Sequence, residues 1–321
     1  MKALWSNLLK IPAFRKAMLV HLRLDYFHEF HHSIPLSNNY WAHLWENDAY
    51  DSFSEIFIQQ EYADFIPDEP ITNILDLGAH YGYFSLWLQS KRPRDEIHSL
   101  MVEPSQKCQR SLEKMAQYPK LEARFQYLQA AVGDPKKEST RFFERPFMGG
   151  SLFTSSPADC GYEVKTLALS AEPNLKKQSF DLIKCDLEGA EWNLFNHYSP
   201  ILENSRFLVM EWHSWHQGGG GFPQIKQKLN DIGFQIIRSN GPEKAVGRNG
   251  EVGLFLAKNL NFQNWSIMEK TLEEKLNSNP FFIHFTNPTL INFCQNTDGL
   301  EILFCARSCH LLTKEKNGLP L

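Results

Sequence analysis

Acidic side chains close a set of short apolar runs in the middle of this sequence, and each run stops where a glycine turn or a helix begins. Ile74 to Leu77 carries Asp76 and leads into Gly78-Ala79-His80-Tyr81-Gly82, and Met101-Val102 leads into Glu103-Pro104. Leu182 to Cys185 leads into Asp186-Leu187-Glu188-Gly189-Ala190-Glu191, and Val209-Met210 leads into Glu211-Trp212-His213. Carboxylates accept hydrogen bonds from hydroxyls, and an imidazole with its ordinary pKa near ~6.5 accepts a proton at neutrality. Gathered at one edge, these groups could hold a hydroxyl-rich ligand and take a proton from it.

The glycines of the first junction let chain and ligand come close, because they lack a Cβ and accept positive φ, and the helix start offers N–H groups. A dinucleotide turn needs G-x-G-x-x-G, but its second glycine is His80 here, whose side chain obstructs a pyrophosphate. The turn suits a nucleoside without a diphosphate. Glu103 follows Gly78 by 25 positions, where a carboxylate can accept from both ribose hydroxyls. The run Gln129-Ala130-Ala131-Val132-Gly133-Asp134 ends in small residues against which an adenine ring could lie flat.

Delivering these groups to one edge takes an open, mainly parallel α/β sheet, and the pattern around them reads that way. Strands are predicted at residues 73–77, 98–102, 124–132, 180–185 and 206–211. Amphipathic helices are predicted at 83–89, 105–117 with Ser105 as cap, 190–197 and 223–231. Two further strands follow at 235–238 and 252–257. Residues 137–143 and 162–169 read as an antiparallel insertion around the turn-rich Met148-Gly149-Gly150-Ser151.

Composition agrees with an ordinary globular protein. The 321 residues carry 33 basic and 37 acidic side chains, a net charge of −4, which argues against a protein that coats nucleic acid. Hydrophobic residues at 42% against charged residues at 22% exclude a disordered chain, and six dispersed cysteines fit a reducing compartment better than a disulfide scaffold. The first 20 residues, interrupted by Pro12, lack the apolar stretch of a signal peptide, and no run reaches membrane-spanning length. The expected location is cytoplasmic.

The ordered set LDLGAHYGYFS, VEP, AAVGD, LIKCDLEGAEW and VMEWH resembles the FkbM-type family of class I S-adenosylmethionine-dependent methyltransferases, over roughly Glu55 to Lys258. The glycine turn and VEP occur in many methyltransferases, whereas K-x-D-x-E-G-A-E is much more specific. The resemblance implies a Rossmann-like seven-stranded fold with an antiparallel insertion and helical N- and C-terminal additions. It implies that Asp76, Gly78, Ala79, Tyr81 and Gly82 line the methionine end of the cofactor, that Glu103 holds the ribose, and that Asp134 neighbours the adenine. His80 departs from the asparagine often found at its position. Family members methylate hydroxyls of sugars, polyketides and related compounds, so the expected partner is a small hydroxyl-bearing acceptor.

Methyl transfer from a sulfonium to a hydroxyl needs collinear oxygen, carbon and sulfur and a base for the hydroxyl proton. Asp186, Glu188, Glu211 and His213 form the expected catalytic set, with His213 as base, Glu211 orienting its ring and Asp186 positioning acceptor or cofactor. The same four residues offer oxygen and nitrogen ligands for a divalent ion, but the fold alone crowds carboxylates at this edge, so the metal-free site is the expectation.

Two competing functions come from different classes. His28-Glu29-Phe30-His31-His32 contains H-E-x-x-H, the helical zinc signature of metallopeptidases, with a third ligand needed from a residue such as Glu55. Pro35 cuts that helix short, so a surface histidine cluster is the favoured reading. The second is a nucleoside-binding module that has lost turnover, against which the strand-end carboxylates argue. Gly218 to Gly221, beside Trp212, Trp215, His216 and Phe222, reads as the hinge of an aromatic lid. Cys294, Cys305, Cys309 and His310 lack a paired C-x-x-C half-site and read as isolated thiols. The expected partition is a helical cap at 1–51, the methyltransferase domain at 52–260, and an accessory segment at 261–321 with a helix at 268–276, serving as cap or oligomer contact.

Overall fold

The computed structural model describes residues 32–145, 150–153, 160–167, 179–214, 221–244, 250–262, 296–297, 300–305 and 310–315. The chain divides into two compact units, Met1–Phe262 and Gln263–Leu321.

In the first unit, strands β1 (His32–Pro35) and β2 (Trp41–Leu44) form an antiparallel pair, followed by helix α1 (Asn47–Phe53) and a π-helical turn, Ser54–Gln59, that ends on left-handed Gln60. The central run is β3 (Asn73–Leu77), α2 (Tyr83–Lys91), β4 (His98–Val102), α3 (Gln106–Ala116) and β5 (Phe125–Leu128). An antiparallel hairpin, β6 (Ser139–Phe143) with β7 (Gly161–Lys165), is inserted next. The run resumes with β8 (Phe180–Asp186), α4 (Glu191–His197), α5 (Ser199–Glu203), β9 (Ser205–His213) and α6 (Phe222–Asp231). It closes with β10 (Phe234–Lys244) and β11 (Glu251–Asn259).

Seven of these strands form one sheet in the order β10-β11-β9-β8-β3-β4-β5. The five strands from β9 to β5 run parallel, and β11 lies antiparallel between β9 and β10. This is the Rossmann-like arrangement expected. From β3 the chain builds one half outward through β4 and β5, then returns to lay β8 on the other side of β3. The strand order reverses there, and the crevice beyond the C-terminal ends of β3 and β8 is where such sheets bind ligands. β3 and β8 are apolar runs because both faces are covered.

Helix α2 is buried from Tyr83 through Ser90, so the expected polar outer face is absent. The segment before residue 60 covers it: Tyr83 Oη donates to His43 O at 2.6 Å, and Ser37 and Asn38 side chains donate to Ser90 O at 2.7 and 2.8 Å, occupying a carbonyl in the last turn of the helix. Ser105 does precede α3 with extended backbone, but its side chain makes no cap bond and instead donates to Glu144 Oε1 at 2.7 Å.

The second unit holds three antiparallel strands among its described residues: β12 (Asn296–Thr297), β13 (Leu300–Cys305) and β14 (His310–Glu315). The expected helix at 268–276, and Cys294 and Cys309, lie outside the described residues, as do His28 and Glu29 and the lid residues 215–220. His32 begins β1, so the last histidine of H-E-x-x-H is not helical. Among the described residues no helix is long and apolar enough to cross a membrane.

Candidate active site

The loop from β3 to α2 has a backbone that its sequence was suited to make. Gly78 and Gly82 take φ of 71° and 76°. A Cβ on Gly78 would lie 1.8 Å from Asp186 O, so the glycine is what lets the ends of β3 and β8 abut. A Cβ on Gly82 would meet the sulfurs of Met115 and Met101 at 2.8 and 2.9 Å. Gly82 therefore serves core packing and does not line the cavity, whereas Gly78, Ala79, His80 and Tyr81 do. The amides expected to face a ligand are partly engaged, since Gly78 N and Ala79 N donate to Val102 O at 3.0 and 3.1 Å.

Glu103 sits at the C-terminal end of β4, in the cavity wall. Its Oε2 accepts from His80 N and its Oε1 from Ser105 N, both at 2.8 Å, which leaves lone pairs on both oxygens. Burial pushes its pKa up to about 7, although the two backbone donors and Lys184 favour the anion. His80, with φ 51°, is kept neutral: burial first, then Lys184, pulls its pKa down to about 3. Ala130, Ala131 and Val132 line the same wall. Asp134 does not; its side chain accepts from Lys136 N at 3.0 Å in the turn beyond. The inserted hairpin contributes Phe142 and, just past β6, Glu144, whose Oε1 accepts from Ser105 Oγ and, at 2.6 Å, from Tyr162 Oη.

Asp76 lies beneath the loop, outside the cavity lining and fully buried. Ser85 Oγ donates to its Oδ2 at 2.7 Å, and Lys184 Nζ lies 3.8 Å from its Oδ1. Lys184, also buried, donates to Gly78 O at 2.7 Å and reaches Asp186 Oδ2 at 3.5 Å. Burial opposes its charge, but Asp186 and Asp76 more than offset that and raise its pKa. One ammonium thus ties the glycine turn to both strand ends.

Acidic groups collect at the other end of the cavity. Asp186 and Glu211 are cross-strand partners at the ends of β8 and β9 and line it, as does Glu188, on the loop after β8 with φ 50°. Glu55 and Glu61, on and just after the π-helical turn, complete the wall. Glu61 lines the cavity with its side chain exposed. Burial and the crowding of Glu61, Glu211 and Asp186 push Glu55 up to about 9, and burial, Glu211 and Asp186 push Glu61 up to about 8. Buried Tyr62 Oη donates to Glu211 Oε2 at 3.4 Å.

His213 stands behind this wall, 3% exposed and not among the lining residues. Its Nδ1 lies 2.7 Å from Glu191 Oε1 and its Nε2 3.5 Å from Glu211 Oε1. Burial disfavours the charged ring, but Glu191 and then Glu211 outweigh it and hold the pKa well above the usual value. The imidazole is therefore clamped between two carboxylates. Glu191, almost fully buried, also accepts from Leu187 N and Gly189 N at 3.3 and 3.0 Å, so it fixes both the loop and the ring.

Sequence reasoning brought together Gly78, Ala79, Tyr81, Glu103, Asp186, Glu188 and Glu211 in one cavity, and left out Glu55, Glu61, Lys184 and Glu144. Two acids flanking the apolar Ile56-Phe57-Ile58, six positions apart, were the available signal for the first pair.

The methyltransferase FkbM domain family matches residues 76–236. No curated protein sequence matches. Among solved structures, magnesium protoporphyrin IX methyltransferase from Synechocystis PCC 6803, with bound S-adenosylmethionine, is 13% identical, with 65% of this chain and 79% of that one covered at a TM-score of 0.37. TrmK of M. capricolum, in complex with S-adenosylhomocysteine, is 11% identical, with coverage of 69% and 84% and a TM-score of 0.37. With its family match spanning half of the residues, and a seven-stranded sheet that places a glycine turn and a buried acid at one cavity edge, the chain belongs to the FkbM family of class I S-adenosylmethionine-dependent methyltransferases.

Proposed function

We propose that this protein methylates a hydroxyl oxygen of a small acceptor, a sugar or another hydroxyl-bearing metabolite, with S-adenosylmethionine as donor. The observation that carries the reading is the division of one cavity into two ends: the glycine turn with Glu103 at one, and a group of acid side chains at the other. In this reading the nucleoside lies along Ala130 to Val132, its ribose hydroxyls donate to the open lone pairs of Glu103, and the methionine portion crosses the turn. The sulfonium then points its methyl toward Asp186 and Glu211.

Transfer forms the C–O bond as the methyl–sulfur bond breaks; the sulfur keeps the electron pair, and the hydroxyl proton needs an acceptor. His213 lies behind the lining, clamped between Glu191 and Glu211 with its proton affinity raised, so in the metal-free site its role is to fix Glu211 and, through Glu191, the loop. The proton acceptor is assigned to Glu61, which opens into the cavity opposite the strand ends. Its raised proton affinity, near 8, is matched to proton exchange close to neutrality, and the positive charge of the incoming sulfonium favours its anion.

Calorimetric titration with S-adenosylmethionine and S-adenosylhomocysteine, with Glu103→Ala as control, tests the donor. Both should bind, and the variant should lose about 10²-fold in affinity, as expected for two hydrogen bonds to a charged group. A methyl-transfer screen over hydroxyl-bearing compounds then tests the acceptor. Failure of either nucleoside to bind overturns the reading.

A further inference from the structure

We propose that Asp186, Glu188 and His213 form a divalent-cation site at the acceptor end of the cavity, of the kind that takes Mn²⁺ or Mg²⁺. Each residue offers one ligand atom, and the three atoms lie within 4.8 Å of one another. Metal–ligand bonds of about 2.1 Å put adjacent octahedral ligands about 3.0 Å apart, so side-chain movements of up to about 2 Å close the set.

Three further observations separate this group from a chance crowd of acids at a sheet edge. The nitrogen ligand comes from a side chain only 3% exposed, at the end of β9 two residues beyond Glu211. That ring is oriented from behind: Nδ1 lies 2.7 Å from Glu191 Oε1, and Glu191 is itself fixed by the Leu187 and Gly189 amides. A carboxylate behind a histidine is the arrangement that sets ring orientation at metal centres, and Nε2, 3.5 Å from Glu211 Oε1, is the nitrogen that would exchange its proton for the cation. Asp186 Oδ1, finally, is buried with no hydrogen-bond partner, although Oδ2 faces Lys184 at 3.5 Å. Two carboxylates and one imidazole suit a cation of hard to intermediate character and leave positions for water and for acceptor oxygens.

The consequence for substrate choice rests on the methyl-transfer reading. An ion bound there would polarise the acceptor hydroxyl and favour acceptors with two adjacent oxygens, which can chelate it. Binding of the ion itself does not depend on that reading.

The test uses the full chain, stripped with chelator and titrated with Mn²⁺ by calorimetry and electron paramagnetic resonance. One Mn²⁺ per chain should bind, with magnetic coupling to an imidazole nitrogen. Glu188→Gln, on a part-exposed loop and so least able to disturb folding, should weaken binding at least about tenfold, and Glu191→Gln by about 10- to 100-fold while retaining the nitrogen coupling. No stoichiometric ion, an ion without nitrogen coupling, or an affinity unchanged by Glu188→Gln would overturn the proposal. S-adenosylhomocysteine is titrated into the same preparations: nucleoside binding without Mn²⁺ binding removes the metal site alone, and Mn²⁺ binding without nucleoside binding removes the methyl-transfer reading alone.

Discussion

The two ends of the cavity are built on opposite principles. At the glycine turn each acid is matched by donors close in sequence or in the adjoining element: Glu103 accepts from His80 and Ser105 amides, and Asp76 from Ser85. At the far end Glu55, Glu61, Asp186 and Glu211 face one another, and the basic groups nearest them are buried Lys184 and His213. The first end is preorganised to accept hydroxyls in fixed places. The second relieves its crowding by holding protons, which a positive charge, a sulfonium or a metal ion, would displace. A methyltransferase benefits from that contrast, because the donor is a cation whose reactive carbon must be drawn toward the acceptor end.

The contrast can be broken most sharply at Glu61. Glu61→Gln keeps the shape of the wall and removes the proposed proton acceptor, so kcat should fall by about 10²- to 10⁴-fold while the dissociation constant of S-adenosylhomocysteine, which lacks the sulfonium charge, stays within about twofold. Full turnover in that variant would move the base elsewhere. Lys184 joins the two ends, and Lys184→Met leaves Asp76 as an uncompensated buried acid. A loss of about 3–5 kcal/mol in unfolding free energy is expected, read by denaturant titration.

A smaller effect sharpens the ribose end. The pKa of Glu103 is raised to about 7 by burial, so its anion, the form proposed to accept the ribose hydroxyls, is lost as pH falls through 7. Cofactor affinity should weaken by up to tenfold per pH unit below about 7 and level off above it, and Glu103→Gln should flatten that profile. The sign for stability is opposite. In the free protein Glu103 binds its proton more tightly than in the unfolded chain, whose glutamates titrate near ~4.3. Its contribution is therefore complete below that value and lost as pH rises through about 7. The smallest effect belongs to Asp134→Ala, which removes a turn contact to Lys136 outside the cavity and should change cofactor affinity by less than about twofold. A larger change would return Asp134 to the adenine's surroundings.

Much of the fold was legible in the chain. Strand limits at Asn73–Leu77 and His98–Val102 agree with the apolar runs, because a central parallel strand covered on both faces must be apolar nearly throughout. The amphipathic reading of α2 failed for a related reason: β2 and the π-helical turn, distant in sequence, cover the face that the pattern left for solvent. Ser105 stands where a cap stands, but a glutamate 39 positions away supplies a better partner for its hydroxyl.

At the site the division follows the range of the interactions. Glycines at 78 and 82, the acid at 103 and the carboxylates after β8 are local necessities of a strand that turns sharply into a helix, so residue type and spacing alone determined them. Charge state and access were decided only in three dimensions. Whether His213 accepts a proton or holds one depends on Glu191, 22 residues away, and on burial that no local pattern expresses. Glu55 and Glu61 reach the proposed acceptor end from more than 120 residues upstream of Asp186, and their raised proton affinity comes from burial and then from the neighbouring acids, both of which only folding supplies.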